Sequence, residues 1–387
     1  MNKLLKTYNF TNFQIHKGKG SYLYSKNNQK LLDFSAGVAV NSLGYNHPTI
    51  INALKAQIKT GITHLAGSQL HEFKIKLSAK LSKNTNNGDV FFSNSGAESI
   101  EAAIKIIRNI GSAQKRDEII AMSSSFHGRT IGALSLGSNK KYKSSIGPVP
   151  GKVKFCQFND SKFLKKLISK KTIAIILEVT QGDGGVNVCT QEFAKSIKEV
   201  CKKNNIYLIV DEIQAGMGRS GKLFAYQHYN LKPDIITVAK GLGGGIPIGA
   251  TIVNKNLSNK IEVGFHGSTF GGGMLQTRVS YEVLNTINKP KFLQKVLKKS
   301  HLLMKLLGNI EKKHSKTIKE IRGLGLLIGL EFHNTNIAKF VFNQLMKNNL
   351  ITTLVQGNTI RISPPLIISE KEIRNGIRIL EKVLNKI

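Results

Sequence analysis

From about residue 50 to about residue 275, short apolar runs alternate with helix-forming segments, and no other property of the chain limits its fold so strongly. The runs at 89–93, 118–122, 173–179, 206–211, 235–239 and 250–253 are each of strand length. Between them, segments such as 98–109 and 191–203 carry apolar residues at helical spacing. This order predicts an α/β chain with a doubly wound, mostly parallel sheet, because neighbouring parallel strands need a crossover and a helix supplies it. In such sheets the strand ends gather along one edge, where ligands bind.

The flanks read differently. Residues 1–50 form an irregular arm in which 21–24 and 30–34 flank a hairpin turn at Asn27-Asn28. After residue 275 the pattern predicts a long amphipathic helix over 275–309 and short strands at 320–323 and 327–331. A helix near 336–348, a strand at 359–362 and a final helix from 370 follow. The expected division is 1–50 as an arm belonging partly to the small domain, 51–275 as the large domain, and 276–387 as a small C-terminal α+β domain with its linking helix.

A formal net charge of +34 raises the question of a nucleic-acid or membrane surface. Binding patches cluster, whereas these lysines are spread over many helix faces, as at Lys162, Lys165, Lys166, Lys170 and Lys171. We therefore expect neither partner. Cys156, Cys189 and Cys201 form no CxxC pair, so no metal site or disulfide framework is expected and a cytoplasmic location fits. The first residues lack a secretory pattern, and no apolar run approaches the ~20 residues of a membrane span.

Chemistry concentrates at the predicted strand ends. Lys240 follows the run 235–239 and precedes Gly-Leu-Gly-Gly-Gly245. A buried amine is costly unless paired or used, and lysine forms Schiff bases with carbonyls. Asp211 ends the run 206–210, either as a turn cap or as the partner of a protonated ring nitrogen, with Gln214 three residues on. In Asp89-Val-Phe-Phe-Ser-Asn-Ser95-Gly-Ala-Glu98, the Ser95/Glu98 spacing is that of a capping box. The same turn offers the free N–H groups of Gly96 and Ala97 to an anion. Phe126 is either a core side chain or a ring that stacks on a planar cofactor, and Arg129 either a solvated charge or a carboxylate fork. Ser268 and Thr269 sit in the glycine-dense loop 264–273, a turn or a second phosphate clamp. Arg361, between apolar residues before Pro364-Pro365, is either a surface arginine or a fixed guanidinium.

These strings together resemble the class III aminotransferases of the fold-type I pyridoxal-phosphate family, and within it the acetylornithine branch. The resemblance covers almost the whole chain, including Leu32-Asp-Phe-Ser-Ala-Gly-Val-Ala-Val-Asn41, His47-Pro48 and the blocks 92–98, 126–130, 211–221, 233–250 and 361–365. It implies a mostly parallel seven-stranded sheet in the large domain and an obligate homodimer. It also implies a two-step exchange that moves an amino group from N2-acetylornithine to 2-oxoglutarate through pyridoxal 5'-phosphate, in arginine biosynthesis. By resemblance Lys240 carries the cofactor, Asp211 pairs with its ring nitrogen and Gln214 with its ring oxygen. Gly96 and Ala97 hold the phosphate, Phe126 stacks on the ring, and Thr269 reaches the phosphate in the neighbouring subunit. Arg129 and Ser268 contact the acylated donor, and Arg361 takes the α-carboxylate of glutamate.

Several positions depart from the family pattern. Glu178-Val-Thr-Gln-Gly-Asp183-Gly-Gly185 has Val179 for a proline and Asp183 for a glutamate that pairs with the residue matching Arg361. The shorter side chain implies a looser or water-bridged pair. Thr269-Phe-Gly-Gly-Gly-Met274 and Ala66-Gly-Ser-Gln-Leu70 also differ, on the substrate side. Ornithine, succinylornithine and succinyldiaminopimelate stay open as donors, and an aminomutase on the same scaffold is the alternative reaction.

Overall fold

The computed structural model describes residues 3–5, 7 and 14–387. The parts of the N-terminal arm at residues 1, 2, 6 and 8–13 lie outside the described residues.

Seven strands form the central sheet, in the order Asp89–Ser93, Gly249–Val253, Ile235–Val238, Tyr207–Asp211, Thr172–Leu177, Glu118–Met122 and Lys152–Cys156. Only Gly249–Val253 runs antiparallel to its neighbours; the other pairings are parallel. Six of the strands coincide with the predicted runs to within about two residues. The seventh, Lys152–Cys156, is the edge strand. Its lysines at 152 and 154 broke the apolar run that would have flagged it, and charge on an edge strand is a common guard against unwanted pairing.

Helices cover both faces because the central strands are apolar on both sides; every residue of Thr172–Leu177 is buried. On one face the helix Gly96–Ala113 packs Ile100, Ile104, Ile107 and Ile110 against Ile119, Ile173, Ile176 and Ile209. On the other, the helix Gln191–Asn204 buries Phe193, Ile197 and Val200 in the main core. Burying each such side chain is worth about 1.5–3 kcal/mol. Thr190 caps the second helix through Phe193 N at 3.1 Å, and Asn205 ends it in the left-handed region at φ 49°.

The single helix expected over 275–309 is two, Met274–Ile287 and Pro290–Lys313. The apolar periodicity runs through the junction, but Pro290 has no N–H to donate, so it starts a new helix at its first position. The C-terminal strands Ile318–Leu324, Leu327–Phe332, Thr359–Ile362 and Thr353–Val355 form a four-stranded antiparallel sheet.

The hairpin at Asn27-Asn28 joins Tyr22–Ser25 to Lys30–Asp33, with Asn28 at φ 59°. Ile15–Lys19 adds a third strand, and Leu350–Ile351 pairs in parallel with Lys30–Asp33 as the fourth. The next turn is unusual. Ala36, Gly37, Val38 and Ala39 all have positive φ, from 49° to 64°. Asp33 Oδ1 holds it by accepting from Ser35 N (2.7 Å) and Ala36 N (3.0 Å), and Ser35 Oγ accepts from Val38 N at 3.2 Å.

Candidate active site

The ends of five strands and the loop leading into a sixth enclose a cavity of about 460 Å³ at the carboxyl edge of the sheet. Its walls include Asn94 to Ala97, Phe126 to Arg129, Glu178, Asp211, Gln214, Lys240 and Val40. A parallel strand delivers its last residue to this edge, which is why groups remote in sequence meet here.

Lys240 stands at φ 42° where the strand Ile235–Val238 gives way to a turn. It is half-buried: its side chain opens onto the cavity while lying deep in the protein. Burial lowers its pKa; Asp183 opposes that shift and Arg361 adds to it. The amine is thereby biased toward its neutral, nucleophilic form.

Asp211 closes the strand Tyr207–Asp211. Its Oδ1 accepts from Ile213 N at 3.0 Å, and its Oδ2 lies 2.7 Å from His127 Nδ1. His127 is buried and its Nε2 has no partner among the described residues. Burial opposes a charge on His127, but Asp211 and Glu178 outweigh it and raise the pKa, so Nδ1 donates to the aspartate. Glu178 is also buried. It accepts from Phe126 N (2.8 Å) and Gly182 N (3.3 Å), tying together two loops of the cavity wall. Burial, resisted by His127 and reinforced by Asp211, pushes its pKa up to about 7.

At the start of the helix Gly96–Ala113, Ser95 Oγ accepts from Glu98 N at 3.2 Å while Glu98 Oε2 accepts from Asn94 N at 2.5 Å. The cap thus exists, and it consumes neither Gly96 N–H nor Ala97 N–H, which border the cavity. A Cβ on Gly96 would come within 2.9 Å of Ile213 Cδ1, so that wall is filled to contact.

Phe126, Gln214 and Arg129 line the same cavity. Gln214 Oε1 accepts from Arg361 Nη1 at 2.9 Å, so Arg361 lies behind it rather than in the lining. Arg361 also donates to Gly182 O (3.0 Å) and Asp183 Oδ1 (2.7 Å). The looser or water-bridged pair expected there is instead a direct contact. Gln356 Nε2 holds the Asp183 carbonyl at 2.7 Å, and the glycines at 182, 184 and 185 let this loop close the gap left by the missing methylene. Ser268 is one side chain removed from the cavity, with its Oγ accepting from Asn94 Nδ2 at 3.1 Å. Thr269 is exposed and outside the cavity of this chain.

Sequence reasoning passed over His127, Glu178 and Asn94 as lining groups. His127 could have been found from its position beside Phe126 in the turn after 118–122. Glu178 could have been found from an acid interrupting an otherwise apolar run. No group of three or more side chains suited to a metal ion occurs among the described residues, and no helix is long and apolar enough to cross a membrane.

The lining fits pyridoxal phosphate. Two N–H groups at a helix start, unpaired among the described residues, suit its phosphate, a buried carboxylate suits a protonated ring nitrogen, an aromatic ring suits its face, and a primary amine suits its carbonyl.

Residues 6–384 match the family model for class-III aminotransferases. The chain is 42% identical to the acetylornithine aminotransferase of Caldanaerobacter subterraneus subsp. tengcongensis, over 99% of this chain and 98% of that protein. It is 40% identical to the acetylornithine/succinyldiaminopimelate aminotransferase of Buchnera aphidicola subsp. Acyrthosiphon pisum, over 99% and 96%. Among solved structures, the ornithine aminotransferase of Toxoplasma gondii superposes with a TM-score of 0.93 at 29% identity, covering 99% of this chain and 93% of that one. That enzyme has also been seen with partial occupancy of pyridoxal phosphate at its active site.

Proposed function

Because this chain belongs to the class-III aminotransferases, which depend on pyridoxal phosphate, we propose that it is an acetylornithine:2-oxoglutarate aminotransferase of arginine biosynthesis. It converts N2-acetyl-L-ornithine and 2-oxoglutarate to N-acetyl-L-glutamate 5-semialdehyde and L-glutamate. The observation that carries this reading is the meeting of Lys240, Asp211 and the Gly96/Ala97 turn around one cavity that also presents Arg129.

When bound, pyridoxal phosphate supplies an electrophilic carbonyl and a ring that accepts an electron pair from the substrate carbon. Lys240 would anchor it through Nζ and, once freed, would move the proton at the substrate carbon that bears the transferred amine. Burial lowers its pKa, which favours the neutral amine that this task needs. Asp211 would keep a proton on the ring nitrogen, and His127 holds the carboxylate that would do so. Gly96 and Ala97 would bind the phosphate, Phe126 would cover a ring face and Gln214 would take the ring oxygen. Arg129 and Ser268 engage the acylated donor. In the second half-reaction Arg361 exchanges Asp183 for the α-carboxylate of the glutamate skeleton.

Thr269 serves the cavity of a second copy, which makes the enzyme a homodimer. Its exposure supports this, as do the exposed apolar side chains of Leu70, Val263 and Phe270 nearby in the 62–70 and 263–270 segments. The division at residues 50 and 275 is the domain organisation that goes with this reading. Three unbridged cysteines suit a reducing cytoplasm. The net charge of +34 is a dispersed lysine surface rather than a nucleic-acid site.

Mixing the holoenzyme with each amine in turn and following cofactor absorbance tests the donor. Acetylornithine should react faster than ornithine; the reverse order overturns the assignment. Succinyldiaminopimelate is the second donor to include, given the name of the Buchnera relative. Lys240→Ala should abolish turnover, and unchanged turnover would refute the central role.

A further inference from the structure

Arg129 carries five N–H donors, and among the described residues none makes a hydrogen bond or ion pair. Aromatic faces hold it instead. Its Cζ lies 3.9 Å from the centroid of the Tyr142 ring and 5.5 Å from that of Phe126. The two rings meet edge-on, at 83° with centroids 6.5 Å apart. A ring against the face of a guanidinium attracts the cation and leaves the donors around its rim free, which is where a carboxylate binds bidentately.

Tyr142 is itself fixed. It ends the short turn Lys140–Tyr142, where Tyr142 N donates to Asn139 O (3.3 Å) and Asn139 Oδ1 accepts from Lys141 N (3.0 Å). The turn is pinned on both sides to the segments that flank Phe126–Arg129: Ser124 N donates to Ser138 Oγ at 2.8 Å, and Lys143 Nζ to Ser135 O at 3.1 Å. A long cation at an exposed position would otherwise sample many rotamers, and ordering it on binding costs affinity.

We propose that Tyr142 is a positioning residue that holds the Arg129 guanidinium in place at the cavity, so that the carboxylate of the amino donor meets a preset fork. This rests on the reading of Arg129 as the donor's carboxylate site. Tyr142 lies outside the lining of the cavity, and 2-oxoglutarate brings a second carboxylate that Arg361 does not take, so the fork is open to both substrates.

Steady-state kinetics of the holoenzyme, with acetylornithine and 2-oxoglutarate varied separately, test this. Tyr142→Leu should raise the KM for acetylornithine roughly 3- to 30-fold, with kcat within about twofold of wild type. Tyr142→Phe, which keeps the ring, should match wild type. In an Arg129→Ala background Tyr142→Leu should add nothing. If Arg129→Ala raises the donor KM and Tyr142→Leu does not, the proposal is wrong while the site reading stands. A rise in the donor KM that persists in the Arg129→Ala background, or loss of cofactor from Tyr142→Leu, makes Tyr142 a loop anchor and overturns it. If Arg129→Ala itself leaves the donor KM unchanged, the underlying reading fails and takes the proposal with it.

Discussion

Arg361 Nη1 rests 2.7 Å from Asp183 Oδ1, with the guanidinium buried and the carboxylate about 30% exposed. The same Nη1 also meets Gln214, so under the proposed function a substrate carboxylate that takes Nη1 displaces the carboxylate already there. Under that reading the internal ligand would let one cavity take two dissimilar substrates, because the arginine is neutralised while the other substrate is bound.

Removing that ligand should have two effects. Asp183→Ala should lower the KM for 2-oxoglutarate, measured in the second half-reaction. It should also cost about 1–2 kcal/mol in urea denaturation, less than a fully buried pair because Asp183 is partly screened. Burial raises the Asp183 pKa, but Arg361 and Lys240 lower it further, so the net shift is downward. Its contribution is therefore present above the unfolded carboxylate range and lost only as pH falls through the lowered value. The difference between wild type and variant should be the same at pH 6 and pH 9 and shrink only in acid, below about pH 4.

His127 should matter through Asp211. His127→Phe leaves that carboxylate with Ile213 N as its remaining protein donor. We expect the Kd for pyridoxal phosphate to rise roughly 10- to 100-fold, the usual worth of a hydrogen bond to a charged group, read by titrating the apoenzyme. The raised His127 pKa means its stabilisation is complete below about pH 6.5 and lost as pH rises through the folded value, a loss the variant should not show.

Glu178 gives the other pH signature. Its pKa near 7 lies above the ordinary carboxylate value, so the folded state favours the proton. Stability is greatest below about pH 4.3 on this account and declines until about pH 7, where the group is ionised in both states. Glu178→Gln should flatten that decline in unfolding midpoints measured across the range, even if the amide lowers stability throughout.

The left-handed turn stores strain that glycine would relieve. Val38 is β-branched, at φ 63° and 40% exposed. Val38→Gly should stabilise the protein by up to about 1 kcal/mol, after the extra backbone entropy of glycine is subtracted. A lower denaturation midpoint would show that the turn is not strained.

Packing between the chain's two ends can be probed at Gly376, where a Cβ would lie 2.2 Å from Phe34 Cζ. Phe34 is 1% exposed and cannot swing into solvent without emptying its pocket. Gly376→Ala should cost about 1–3 kcal/mol, the usual range for overpacking, measured by thermal or chemical unfolding.

Much of this was legible in the sequence because its signals are local. Strand runs, the Ser95 cap and the turn after Lys240 depend on neighbours within a few residues, and the predicted boundaries fall close to the observed ones. Lys152–Cys156 was hidden because an edge strand need not be apolar on both faces. The helix break at Pro290 was hidden because amphipathic spacing continues across it.

The sequence by itself determined the alternating order of strands and helices, and with it an edge where Lys240, Asp211, Gly96 and Phe126 had to converge, since parallel strands all deliver their last residues to one side. Tertiary structure decided the pairings: His127 with Asp211, Asp183 directly with Arg361, and Arg129 against Tyr142. Such contacts depend on loop path and side-chain rotamer across separations of 13 to 178 residues. No local pattern encodes them, because their energies arise only once burial has removed the water that would otherwise take each partner's place.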